Sequence, residues 1–207
     1  MVSFASGKSD IILGQSAQKT FCRIDQQRCT IDQSVVIVQT LCMSSLYLHI
    51  DTELGPISLF GTEAGLSNIR FQAPPSPQPR SNLPEYFYQA QEQLLEYLQG
   101  QRTTFAIPLD YAGTRFQVRV WKALGQVPYG QAVSYGDIAQ KVGNPRGGRA
   151  VGGANNKNPL PIVIPCHRVV GHDGRLVGYG SGLWRKIRLL ELEGMAVDHS
   201  RKRLIDW

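Results

Sequence analysis

Between residues 161 and 165 the chain reads Pro-Ile-Val-Ile-Pro, and no other stretch limits its possible folds so tightly. A proline at each end excludes a helix passing through. Three consecutive apolar β-branched residues, Ile162, Val163 and Ile164, favour a short buried extended run. Cys166 and His167 follow directly. The run is therefore expected to be a rigid stem carrying a thiol at its tip, with an imidazole beside it. Rigid support suits a nucleophile, whose position relative to a substrate must be fixed. A cysteine by itself is more often a small buried hydrophobe, so the reading of Cys166 depends on its surroundings.

Charge is the first of these. Residues 115–207 hold 15 Lys and Arg against 6 Asp and Glu, whereas residues 1–114 hold 7 against 10. A basic half beside a mildly acidic one suggests a polyanion partner for the second half, although solvated charge alone would also give this balance. The other cysteines are Cys22, Cys29 and Cys42. None forms a CxxC pair, and the Cys22–Cys29 spacing fits no common zinc module. Neither a metal nor a cofactor is expected. A disulfide scaffold is excluded, which points to a reducing compartment. No charged segment followed by a long apolar core opens the chain, and the apolar run Val35–Val38 is far too short to span a membrane. The expectation is a soluble cytoplasmic protein (nuclear in a eukaryote), with no membrane partner and acting as a monomer.

Along the chain, three segments are expected. Residues 1–42 lack helical period and read as a peripheral extension, with Val35–Val38 as an edge strand at most and Met43 as a candidate natural start. Residues 43–112 read as a small α/β domain. Leu46, Leu48 and Ile50 alternate with polar or aromatic neighbours, Gly55-Pro56 marks a turn, and Ile57–Gly61 and Leu66–Phe71 complete a three-stranded antiparallel meander. Four prolines (74, 75, 77 and 79) make residues 72–82 an extended loop. Pro84 opens a helix over Glu85–Gln99 with Phe87, Leu94, Leu95 and Leu98 on its apolar face, and Gly100 stops it. Phe105–Leu109 is a further short strand.

Residues 113–207 read as a mainly helical domain, so that the whole is α+β. Thr114 caps a helix bearing Phe116, Val120, Trp121 and Leu124 on one face. Ser134 caps Tyr135–Val142, with Asp137 completing a capping-box pair. Gly143 ends that helix, and Arg146–Asn156 forms the next. Helix, short glycine-containing turn and helix is a helix-turn-helix, whose second member would be the recognition helix. That second helix contains Gly147, Gly148, Ala150, Gly152, Gly153 and Ala154, which lowers its intrinsic stability. A helix almost without side chains is suited to lie in a narrow minor groove; tight packing against another helix is the alternative. Past Arg146 at its start, Arg149 is its one long cation. Past the stem, Val177–Gly182 is glycine-rich. Leu183–Glu193 is a helix with Leu183, Trp184, Ile187 and Leu190 facing inward, and His199–Lys202 is a solvated basic tail.

A thiolate needs a base, and a base needs an orienting group. His167 is adjacent to Cys166, but neighbours on extended backbone point to opposite faces, which leaves room for a bridging water. Glu193 closes a helix, where a carboxylate is unfavourable against the dipole. A specific partner would explain it there, and fixing the His167 imidazole is such a role. The candidate relay is Cys166, water, His167, Glu193.

Pro165-Cys166-His167-Arg168-Val169, preceded by Asn158-Pro159 and by Arg149-Ala150-Val151-Gly152-Gly153-Ala154, resembles the active-site signature of the O6-alkylguanine-DNA alkyltransferases. The likeness runs from about Phe116 to Gly194 and more weakly back to Met43. It implies an N-terminal α/β domain, a C-terminal DNA-binding domain, and a guanine flipped from double-stranded DNA through the minor groove into a pocket. By position, Cys166 resembles the alkyl acceptor, His167 and Glu193 the relay, and Asn158 the residue bracing the active-site turn. Tyr135 resembles the phenol assisting the leaving base. Arg149 resembles the arginine that fills the space left by the flipped nucleotide, on a DNA-facing surface with Ala150, Gly152 and Gly153. Pro161 and Tyr179 resemble pocket walls, and the Cys166 and Val169 carbonyls those that read the guanine amino group. Gly180 stands where some members have serine, and Val177 where some have glycine. The resemblance implies a single-turnover transfer of an alkyl group from guanine O6 (O4 of thymine being a second candidate) to Cys166. A non-enzymatic lesion-binding protein is the alternative, and a cysteine hydrolase is a third class that leaves the basic helix-turn-helix unexplained.

Overall fold

The alternation of apolar residues at the start of the second segment produces a sheet. The computed structural model describes residues 46–72, 82–205 and 207. Strands β1 (Leu46–Thr52), β2 (Gly55–Gly61) and β3 (Leu66–Arg70) form an antiparallel meander in that order. Leu48 pairs with Leu59 and Ile50 with Ile57. Gly55, at φ +88°, makes the tight connection that a side chain would strain. Helix α1 (Glu85–Leu98) buries Phe87, Ala90, Leu94 and Tyr97, a 3-4-3 spacing along one stripe. The stripe ends on Tyr97, and the expected Leu95 and Leu98 are only half-buried. The strand expected over Phe105–Leu109 reduces to a single bridge from Leu109 to Leu66. Pro108 has no N–H to donate and supplies only its carbonyl, to Leu66 at 2.9 Å.

Helix α2 (Arg115–Leu124) opens on a complete capping box between Thr114 and Gln117. Strand β4 (Val133–Ser134) leads into α3 (Tyr135–Lys141), whose Ser134–Asp137 capping box is also complete. Helix α4 (Gly148–Asn156) begins two residues later than the sequence suggests. The Gly147 N–H is first used to close a turn on the Asn144 carbonyl at 2.8 Å. Strand β5 (Val169–Val170) pairs in parallel with β4. Helix α5 (Leu183–Leu192) is followed by a hairpin of β6 (Val197–Asp198) and β7 (Arg203–Leu204). The expected solvated tail His199–Lys202 is the turn of that hairpin.

One expectation about α5 is corrected. Trp184 is 51 % exposed, whereas Lys186 is fully buried. Lys186, Leu189 and Leu190 form the inner stripe. Trp184 therefore lies on the far side, where the Arg185 guanidinium stacks over it at 4.4 Å.

A single hydrophobic cluster runs from the sheet through α1 and α2 to Ile162, Ile164, Cys166 and Val169. Cys166 is thus seated on the main core. A smaller cluster gathers Val170, Leu176, Leu190, Val197 and Leu204. The expectations for residues 1–42, including Val35–Val38, Cys22, Cys29 and Cys42, and for most of the proline-rich loop lie outside the described residues.

Candidate active site and nucleic-acid interface

The Pro161–Pro165 stretch is a turn, not an extended stem. Asn158 builds it: its Oδ1 accepts from the Leu160 N–H at 3.0 Å and its Nδ2 donates to the Ile164 carbonyl at 2.7 Å. The Ile164 N–H also returns to the Leu160 carbonyl at 2.8 Å. Ile162 consequently sits at φ +74°, a left-handed conformation that costs a β-branched residue about 1–3 kcal/mol. Its side chain is 1 % exposed, so burial in the core holds it there. β-Propensity pointed to a strand, and the side-chain bonds of Asn158 override it.

Cys166–Arg168 then form one 3-10 turn. Successive side chains on such a turn diverge by a third of a revolution rather than alternating. Cys166 lines the cavity, while His167 and Arg168 both turn inward onto Glu193. His167 Nε2 lies 2.8 Å from Glu193 Oε1. An ionised carboxylate only accepts, so Nε2 carries the proton and Nδ1 holds the lone pair. Nδ1 has no protein partner among the described residues.

Glu193 caps α5 and is the hub of the site. Besides His167, it accepts from Arg168 Nε at 3.0 and 2.9 Å and from Arg168 Nη2 at 2.8 Å. Tyr97 Oη donates at 2.5 Å and the Gly130 N–H at 3.2 Å. Burial would raise this carboxyl, but the bonds from His167 and Arg168 lead the opposing effects and hold it at about 2. Burial pushes His167 below its ordinary value, against the pull of Glu193, so the imidazole is neutral at pH 7. Burial also raises the Cys166 thiol, which Asn158, Lys186 and Tyr179 partly offset. Lys186 donates to the Val169 carbonyl at 2.5 Å and the Val177 carbonyl at 3.2 Å; burial lowers it to about 8. The resting site therefore holds a protonated thiol beside a neutral base.

Cys166 opens into a cavity of about 880 Å3. Tyr135 from α3 and Arg149 and Gly152 from α4 line one side; Asn158, Pro161, Tyr179 and Gly180 line the other. Burial, then the nearby Cys166, raises the Tyr135 phenol, so it remains a donor. Val177 also reaches the cavity and is 46 % exposed. Val169 does not: it is fully buried behind Cys166. Ala150 and Gly153 face solvent outside the cavity. A Cβ added at Gly148 or Gly153 would meet nothing within 4 Å, and at Gly152 only the Tyr135 ring at 3.8 Å. No neighbouring helix needs these three positions bare, which removes tight packing as the reason for Gly148, Gly152 and Gly153.

Four buried polar residues escaped the sequence reading. Arg168 is a charge inside the apolar run ending in Val169-Val170, which signals a buried partner. Tyr97 completes the spacing of Phe87, Ala90 and Leu94, and Lys186 that of Leu189 and Leu190. Asn155, whose Nδ2 donates to the Cys166 carbonyl at 3.3 Å, has no comparable signature.

Both halves of the chain match known proteins. The family model described as 6-O-methylguanine DNA methyltransferase, ribonuclease-like domain, matches residues 45–111. That described as 6-O-methylguanine DNA methyltransferase, DNA binding domain, matches residues 115–195. A methylated-DNA–protein-cysteine methyltransferase of Mycobacterium leprae is 49 % identical over 147 residues, covering 70 % of this chain and 89 % of the relative. One from Methanosarcina acetivorans is 44 % identical over 152 residues, covering 72 % and 97 %. The Mycobacterium tuberculosis OGT solved in complex with DNA superimposes with a TM-score of 0.65 at 48 % identity, covering 71 % of this chain and 91 % of that one. With both halves matched in order around the Cys166 site, the chain belongs to the 6-O-methylguanine DNA methyltransferase family.

Proposed function

We propose that Cys166 Sγ accepts the alkyl group from O6 of a guanine flipped out of double-stranded DNA into the 880 Å3 cavity. The reaction class is that of the family, direct-reversal DNA repair by a methylated-DNA–protein-cysteine methyltransferase. The observation that carries the residue assignment is the 3-10 turn, which sends Cys166 to the cavity and His167 to Glu193 behind it.

The thiol proton passes through a bridging water to Nδ1 of neutral His167, and the anionic Glu193 stabilises the imidazolium that forms. The thiolate attacks the alkyl carbon in line. The carbon–O6 bond breaks, and its electron pair stays on the purine. Tyr135 donates a hydrogen bond to the departing base, and the proton lost from the thiol finally resides on guanine. The S–C bond of the thioether offers water no leaving group, so each molecule reacts once. Every group involved belongs to one chain, which is consistent with a monomer.

Helix α4 approaches through the minor groove. Its bare glycine face lets backbone come close where side chains would not fit, and Arg149 at the cavity takes the place of the extruded nucleotide. Possession of Cys166 separates the chain from a lesion binder without an acceptor.

The test is intact-protein mass after incubation with duplex containing O6-methylguanine. One methyl per molecule, mapped to the Cys166 peptide and absent in Cys166→Ala, is expected. Methylation of Cys22, Cys29 or Cys42 instead, or repeated turnover, would overturn the assignment.

A further inference from the structure

The cavity is not built by the helical half alone. Strand β3 is one edge of the sheet, and its Ile69 N–H donates to the Pro159 carbonyl at 2.8 Å. That bond fastens the sheet to the loop just ahead of the Asn158 turn. Ile69 is buried, and its neighbours Asn68 and Arg70, which alternate to the other face of the strand, lie along the cavity rim. The Arg70 Nε donates to Asn68 Oδ1 at 3.3 Å, and the guanidinium rests over the Phe60 ring at 5.0 Å. Both contacts hold the guanidinium, and its two terminal nitrogens have no partner among the described residues.

The charge pattern is equally specific. Among the described residues of the acidic half, the other arginine, Arg102, is paired with Glu96 at 2.6 Å. Arg70 has no carboxylate partner among the described residues, and neither has Arg149 on α4. Two uncompensated guanidiniums thus face one cavity from different halves of the chain. Flipping a nucleotide drags its flanking phosphates to the cavity mouth, where they need a counter-charge. Arg149 is committed to the duplex interior, which leaves Arg70. A guanidinium with free paired nitrogens suits a phosphate.

We propose that Asn68 and Arg70 form a second nucleic-acid contact, through which the N-terminal sheet grips a backbone phosphate of the lesion strand beside the flipped nucleotide. This rests on the flipped-guanine reading above. The partner is the lesion strand itself, recognised by charge and position rather than by base sequence.

The test compares wild type with Arg70→Ala and Arg70→Glu, both changes at an exposed side chain. Binding to an O6-methylguanine duplex and to the undamaged duplex is measured by fluorescence anisotropy over a series of salt concentrations. One lost phosphate contact lowers the slope of log K against log salt by about 0.9. That fall is expected on the lesion duplex and not on the undamaged one, with Arg70→Glu weaker than Arg70→Ala. Single-turnover transfer from a free O6-alkylguanine base should be unchanged. An unaltered slope, an equal fall on both duplexes, or a matching loss with the free base overturns the proposal. If wild type transfers nothing to Cys166, the functional reading fails and this contact with it, an outcome that the mass measurement separates from loss of the Arg70 contact alone.

Discussion

Replacing Arg168 with leucine should be among the most damaging single changes outside the thiol itself. Arg168 makes three of the hydrogen bonds to Glu193, whose side chain is wholly buried. Without it a carboxylate stays buried beside a neutral imidazole, and breaking a buried pair in this way costs about 3–5 kcal/mol. The pH linkage gives a similar figure. Against burial, the bonds from His167 and Arg168 and the lesser contribution of Tyr97 bring Glu193 from 4.5 to about 2. At about 1.4 kcal/mol per unit this is on the order of 3 kcal/mol. The folded value is depressed, so this stabilisation is present above the unfolded carboxylate pKa and is lost as pH falls towards 2. For a protein of this size the loss corresponds to a fall in Tm of about 6–20 °C. Urea denaturation at pH 7 would measure the cost for Arg168→Leu, Glu193→Gln and the double variant. Removing the stranded charge should restore at least about 2 kcal/mol in the double variant relative to the sum of the singles. A cost below about 1 kcal/mol for Arg168→Leu, or strict additivity, would refute the view of Glu193 as a charge held in place by its donors.

Other outcomes follow from the same geometry. His167→Ala and Glu193→Gln should each slow single-turnover transfer and move its pH dependence towards that of a free thiol, and their double variant should lose far less than the product of the two; multiplicative losses would speak against a coupled relay. Because burial lowers His167, wild-type transfer should hold its rate at pH 7 and decline only as pH falls below the ordinary imidazole value near 6.5; a decline beginning above pH 7 would contradict a neutral resting base. Arg149→Ala should impair repair of duplex DNA about tenfold or more, on the scale of a lost charged contact, while sparing the free base; equal losses would exclude an extrusion role. A chain beginning at Met43 should fold, accept one alkyl group per molecule and melt within a few degrees of the full chain; a much lower melting point would place residues 1–42 in the core.

Most of the architecture was legible because local signals and tertiary packing agree. The β1–β3 meander follows from alternation and Gly55, the α3 capping box appears as Ser134 followed three residues later by Asp137, and Thr114 announces the start of α2. The reading broke down at Ile162–Ile164, where the long-lever choice was made by an Asn158 side chain that propensity does not see. It also broke down at α5, where a tryptophan was read as facing inward and the inner stripe instead holds Lys186. The backbone carbonyls of Val169 and Val177 satisfy the Lys186 ammonium, so that its burial is tolerated. The pairing of His167 with Glu193 was anticipated from chemistry, as was Cys166 at a cavity. Arg168 and Tyr97 were passed over: a charge inside an apolar run and a completed helix stripe mark both as buried, but only the fold shows that Glu193 is their shared partner.

The Glu193 hub has a consequence for how the protein comes into being. Its donors come from α1, from the turn after α2, and from the 3-10 turn, while Glu193 itself is near the end of the chain. As the polypeptide leaves the ribosome, His167 is made before the carboxylate that will hold it. Throughout that interval the thiol has neither an oriented base nor a shaped cavity, and it is no more reactive than any other cysteine. On the proposed function, a thiol that can act only once would thereby be kept unspent until the last helix has docked.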